Sequence, residues 1–114
     1  MRLNKHQIYA AVDFKTEMIE IPEWGGEIEI RTMSVGQKFD YDIFVAEKKP
    51  TMQELSLYLI KKCCIDDQGK LLFTDEDDEF LLAKSVDSLM RLFEACVDLN
   101  RQRASDVEDA AKNS

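Results

Sequence analysis

Residues 52–64, MQELSLYLIKKCC, place Met52, Leu55, Leu57, Tyr58, Leu59, Ile60, Cys63 and Cys64 around a helical wheel and leave a narrow polar strip at Glu54 and Lys61. A helix that is apolar on nearly every side belongs at the centre of a core, so the remaining elements have to surround it. Its start is well marked. Thr51 can cap it and Glu54 completes a capping box, while Pro50 ends whatever precedes it.

The segments on either side supply partners of several kinds. In NKHQIYAAVDF, Asn4 and Gln7 have capping-box spacing, with Ile8, Ala11 and Val12 on one side, which predicts one or two turns of helix. EMIEIPEWGGEIEIRT alternates with period 2, so Ile19 and Ile21 match Ile28 and Ile30 as the inward residues of a hairpin. Pairing Ile21 with Ile28 leaves the loop PEWGGE, and pairing Ile19 with Ile28 leaves PEWG. In both registers Glu20 faces another glutamate, Glu29 or Glu27, across the outer face, and like charges in that position are unfavourable.

SVGQ has capping-box form at Ser34 and predicts a helix from Val35 to Lys49, stopped by Pro50. Val35, Phe39, Ile43 and Ala46 share one face of it, while Tyr41, Phe44 and Val45 point elsewhere. This is more apolar surface than one core contact requires. DDQGK at 66–70 reads as a turn and LLF as a short extended piece. Thr74 caps a brief helix ending near Lys84, with Asp75, Glu76, Asp77 and Asp78 in its first turn, where the helix dipole favours negative charge. Ser85 caps the last helix, Val86 to about Arg103, whose apolar residues cover half its circumference, with Leu92 and Leu99 on the outer edge of that face. The expectation is an α+β, predominantly α-helical fold in which a short N-terminal helix and a β-hairpin pack on a bundle of about four helices. A single domain covers 1–103, followed by an acidic mobile tail over 104–114.

Charge and composition narrow the function classes. A chain of 114 residues supports one core. Its net charge of −8 argues against binding a phosphate backbone, which requires clustered Lys and Arg. No stretch has the run of about 20 apolar residues that spans a membrane, and the N-terminus has no secretory signal, so a soluble, intracellular protein is expected. Cys63, Cys64 and Cys96 form an odd set with two adjacent members, which fits free thiols in a reducing compartment.

Catalytic and metal chemistry find little to use. His6 is the single histidine, and adjacent Cys63 and Cys64 lack the separation with which two thiolates grip one zinc. A Cys/His nucleophilic pair would need His6 folded over Cys64 or Cys96, with no third group to orient it. In TDEDDE the alternation of Asp75, Asp77 and Glu79 suggests a calcium loop, yet Phe80 stands where glycine is required and Val86 where a bidentate glutamate should be. The glycines fit neither phosphate-loop spacing. No active site, cofactor site or metal site is expected. What stands out instead is apolar surface in excess: Trp24, Tyr41, Phe44, Leu92 and Leu99 are the candidate partner or oligomer interface. For Trp24 two readings stand, a lid folded across the hairpin isoleucines or an exposed anchor for a partner.

A short helix followed by EIPEWGGEIEIRTMS, an apolar helix leading into CCIDDQGKLLFTDEDDEFLLAKSVDSLMRLFEACVDLN, and an acidic end in KNS together resemble the tail assembly chaperones of long, non-contractile-tailed bacteriophages. The most specific parts are PEWGG, the stretch around Gln68 and Gly69, and LFEACVDLN; residues 35–60 match least. The resemblance implies a non-enzymatic, non-structural protein that keeps the tape measure protein soluble and helps bring the major tail protein to it. It also implies self-association, and partnership with a longer, frameshifted form of the same chain. Its place would be the cytoplasm of the infected or lysogenic host, and it would be absent from the mature virion. The competing class is an acidic DNA mimic occupying the basic groove of a nucleic-acid enzyme. Such a mimic should spread its carboxylates along one exposed face, whereas here the densest acidic run begins a helix.

Overall fold

The computed structural model describes residues 1–113, with side chains described over 1–101. Its elements are α1 (Lys5–Ala10), β1 (Thr16–Ile21), β2 (Gly26–Arg31), α2 (Val35–Lys48), α3 (Met52–Cys63), β3 (Cys64–Ile65), α4 (Asp78–Leu82) and α5 (Val86–Asn113). The fold is α+β and mostly helical. The tail expected over 104–114 falls where side chains lie outside those described, although the α5 helix itself continues beyond the end expected near Arg103.

The capping boxes form as the sequence spells them. Asn4 and Gln7, Ser34 and Gln37, and Thr51 and Glu54 each exchange the reciprocal side-chain-to-backbone hydrogen bonds, which satisfies amide groups that the first helical turn leaves without partners. Ser85 accepts from the Ser88 amide at 3.2 Å and so starts α5. Lys49 closes α2 in the left-handed region at φ 46°, immediately before Pro50.

α3 and α5 pack against each other and the sheet covers them. Leu57, Leu59, Ile60 and Cys63 of α3 meet Leu89, Leu92, Phe93, Cys96 and Leu99 of α5, with Ile21 and Ile30 of the hairpin and Leu81 of α4 closing the core. Leu92 and Leu99, expected at an interface, are buried at 0% and 1% exposure. Both belong to the core cluster that α5 forms with α3 and with Ile21 and Ile30 of the hairpin, which packs on α5.

The hairpin settles on the register that pairs Ile19 with Ile28, which leaves PEWG as the loop and puts Glu20 opposite Glu27. Both glutamates are exposed, so water screens their repulsion. A third strand, β3, adds to β2 with Ile30 opposite Cys64 and Glu29 opposite Ile65. It begins where α3 stops, because Cys64 takes extended backbone at φ −79°, ψ 130°. The chain then turns through 66–70. Asp66 accepts hydrogen bonds from the Gln68 and Lys70 amides at 2.8 and 3.0 Å, and Gly69 supplies the positive φ of 79° that the turn requires.

Two elements lie outside this core, one of them with Tyr41 packed against it. No residue of α1 or of α2 is buried. α2 attaches through Gln37, whose side-chain amide donates to the Lys62 carbonyl at 3.3 Å, and through an aromatic contact with Tyr58 of α3.

Because Leu92 has no exposed surface and Phe39 is 63% exposed, truncation should separate them sharply. Leu92→Ala is expected to lower unfolding free energy by about 2–5 kcal/mol, and Phe39→Ala to change it by less than about 0.5 kcal/mol. Urea denaturation followed by circular dichroism measures both.

Candidate functional site

The sequence offered one cluster of candidates, and the structure divides it into three places. Leu92 and Leu99 are core. Tyr41 and Phe44 are half-buried and lie against α3, where the Phe44 ring stacks on Tyr58 with centroids 4.3 Å apart and planes 9° apart. Tyr41 sits 6.2 Å from the same ring, and Lys62 places its ammonium 5.2 Å from the Tyr58 centroid. Burial, followed by the nearby Asp40 carboxylate, raises the Tyr58 phenol above its ordinary pKa. With Tyr41 and Phe44 committed to α3, the opposite face of α2 is the one left outward. Val35, Phe39 and Ile43, spaced four apart, are 73%, 63% and 54% exposed. The wheel pattern had found these three as one face; it could not say that the aromatic pair, rather than this stripe, would take the contact with the body.

Trp24 lies at the hairpin tip. Pro22–Trp24 form a 3₁₀ turn that ends in Gly25 at φ 79°, a conformation costly for any residue with a Cβ, and the Gly25 amide donates to the Pro22 carbonyl at 3.0 Å. This tight turn swings the indole back against the core, half-buried, beside Ile28. The tip is also tied to α5, because Arg91 forms an ion pair with Glu23. That pair holds the Glu23 carboxyl below its ordinary pKa.

Trp24 forms one wall of an open groove of about 210 Å³. Ile28, Phe73 and Leu81 line it further, Phe80 stands at its lip at 70% exposure, and Asp77 and Lys84 sit at the rim. Asp77 brings the acidic run to this groove, and the run has specific duties. Asp77 accepts from the Thr74 amide at 2.8 Å, and Asp75 and Asp78 reach the Lys61 ammonium at 2.8 and 3.0 Å. Burial alone would lower the Lys61 pKa, but the two carboxylates outweigh it and raise it. Lys61 in turn holds Asp75 below the ordinary carboxylate range. Lys61, which the wheel showed as a polar strip on an otherwise apolar helix, thus anchors the 75–78 segment to α3.

The cysteines are all buried free thiols. Cys63 is pushed well above its ordinary pKa, first by its hydrogen bond with Cys96 and then by burial. For Cys96 the bond with Cys63 acts in the opposite sense, but the Cys64 contact and burial prevail and raise it too. His6 is exposed on α1, with its ring edge-on to Tyr9 at 6.3 Å, and is not brought to any thiol. Among the described residues no three His, Cys, Asp or Glu side chains gather as a metal site, and no helix is long and apolar enough to cross a membrane.

The chain has a three-stranded antiparallel sheet laid over two packed helices, with a further helix held at their side by an aromatic stack, and its fold is similar to one already seen among solved structures. It is similar to the structure of the bacteriophage HK97 tail assembly chaperone, with a TM-score of 0.56 over 83% of this chain and 91% of that one. Identity is 18%, so the two share a fold while differing at most positions. No protein-family model and no curated protein matches the sequence.

Two outcomes follow from the electrostatics of this region. Glu23, Asp66 and Asp75 all have folded pKa values below their unfolded ones. Their contribution to stability is therefore complete above the unfolded carboxylate pKa of about 4 and is lost as pH falls through the folded values. The urea midpoint should drop below about pH 5, and Lys61→Met should flatten the part of that slope due to Asp75 while leaving the part due to Asp66, which its own turn amides supply. Separately, a thiol-reactive disulfide reagent at pH 8 should leave Cys63, Cys64 and Cys96 unlabelled in the native protein and label all three in denaturant.

Proposed function

We propose that this chain is a non-enzymatic tail assembly chaperone that binds the tape measure protein, keeps it soluble, and helps recruit the major tail protein during tube assembly. The observation that carries this reading is the fold likeness to the HK97 chaperone. A physical feature supports it. The stripe of Val35, Phe39 and Ile43 is exposed on a chain of net charge −8, which suits a carrier that must hold an apolar partner and remain dispersed. An elongated amphipathic segment would lay its apolar side along that stripe. In this reading the outer face of α2 meets the tape measure protein, with Tyr41 and Phe44 positioning the helix from behind. The Trp24 hairpin serves self-association. A longer frameshifted form would share these surfaces. The protein would act in the cytoplasm of the host cell and be left behind by the finished virion.

The Lys61 pairing weighs against the DNA-mimic reading, because two carboxylates of the densest acidic run are directed at the protein's own lysine.

Co-expression with the tape measure protein of the same phage tests the proposal. The soluble fraction of tape measure protein should rise several-fold with the wild-type chain and fall back with Phe39→Asp, a substitution at an exposed position that leaves the core intact. Equal solubility with and without the chain would refute the chaperone reading. Equal rescue by wild type and Phe39→Asp would remove α2 as the contact.

A further inference from the structure

β1 is an open edge of the sheet. The strand order is β1-β2-β3, so β1 has a neighbour on one side only. The Thr32 amide donates to the Lys15 carbonyl at 3.0 Å, and the register that pairs Thr16 with Arg31 sets Lys15 opposite Thr32. In an antiparallel ladder the backbone groups face the partner at alternate residues. Glu17, Ile19 and Ile21 therefore continue the bonding to β2, while Thr16, Met18 and Glu20 turn their N–H and C=O groups outward. Among the described residues no turn or loop backbone group bonds to these three.

An unpaired edge is a template for another strand, and proteins commonly shorten, bulge or cover it, or place proline in it. β1 has neither bulge nor proline: its six residues run in unbroken register with β2. What it carries instead is negative charge. Met18, 52% exposed, and Glu20 share the outer face with Glu27 and Glu29 of β2. Among the described residues none of these three glutamates has an ion-pair partner. Arg31, the cation of that face, is engaged elsewhere, donating to the Gly69 carbonyl at 3.1 Å and lying over the Phe14 ring.

The charges decide which strand the edge can take. A second copy adding its own β1 would bring Glu17 and Glu20 towards the same carboxylates, on chains that each carry a net charge of −8. A strand with cations at alternate positions meets the opposite situation. We infer that the β1 edge binds an extended basic segment of a partner protein by strand addition. The main chain of that segment bonds to the outward groups of Thr16, Met18 and Glu20, and this supplies the affinity. Lys or Arg at every second position lies on the outer face beside Met18 and reaches towards Glu20, Glu27 and Glu29, while the apolar residues between them extend the half-buried surface of Ile19 on the inner face. This surface is separate from the outer face of α2 and does not depend on what that face holds.

Amide hydrogen exchange of the full chain, followed by NMR with blocked synthetic peptides as probes, tests the inference. KVKVKV should slow exchange at Met18 and Glu20 several-fold and EVEVEV should not; raising the ionic strength should weaken the effect, because the pairs are exposed. Met18→Pro removes one outward N–H at an edge position where proline is tolerated, and should weaken KVKVKV binding by about tenfold. KVKVKV methylated on every backbone nitrogen keeps the charge but donates no hydrogen bond, and should not bind; it stands in for Met18→Pro if that variant fails to fold. No protection by KVKVKV, or equal binding of the methylated peptide, would overturn strand addition. Protection of the same amides on concentrating the chain alone would overturn the basic partner in favour of a second copy. Tape measure solubilisation through Phe39 is read separately and is unaffected by either result.

Discussion

The side-chain amide of Asn100 joins three parts of the fold that the sequence leaves far apart. Its oxygen accepts from the Met33 amide at 3.1 Å, just beyond the end of β2, and its nitrogen donates to the Cys96 carbonyl at 2.8 Å and approaches the Cys63 sulfur at 3.5 Å. The sheet exit, the last turn of α3 and α5 therefore meet at one polar group inside an otherwise apolar boundary. A partly buried amide of this kind is favourable only when its donors and acceptors are matched, which fixes the relative placement of the elements more narrowly than leucine packing can. The direction in which β2 leaves the sheet, and with it the position of α2, follows from this junction.

Much of the architecture was legible because its signals are local. A capping box states its purpose within four residues, and all three helices given one begin as the sequence indicates. The period-2 pattern around Ile19, Ile21, Ile28 and Ile30 is also self-contained, although its two registers could be separated only by the turn the chain takes at Gly25. What escaped the sequence depends on partners distant in the chain. β3 is two residues long and has no periodicity of its own; it is a strand because β2 is beside it. Leu92 and Leu99 looked peripheral on a wheel of α5 alone, and the hairpin decides otherwise.

The same reasoning accounts for the candidate surfaces. The wheel of α2 showed more apolar surface than one core contact requires. It could not show which of the two apolar faces of α2 would be spent on α3. Aromatic packing accompanies this choice: two rings on α2, Tyr41 and Phe44, meet the Tyr58 ring on α3, whereas the Val35, Phe39 and Ile43 stripe offers a single ring. The groove was harder still to foresee, since Trp24, Phe73 and Phe80 belong to segments that converge only after the hairpin and α4 have both settled.

The Phe44–Tyr58 stack has a mechanical meaning as well. α2 buries no residue, and its neighbours are joined to it by short connections at Thr32–Ser34 and Lys49–Thr51. It is held by the Phe44–Tyr58 stack, by Tyr41 packed against the core and by the Gln37–Lys62 hydrogen bond. A load on its outer face would bear first on these few contacts, before it reached the buried leucines and thiols.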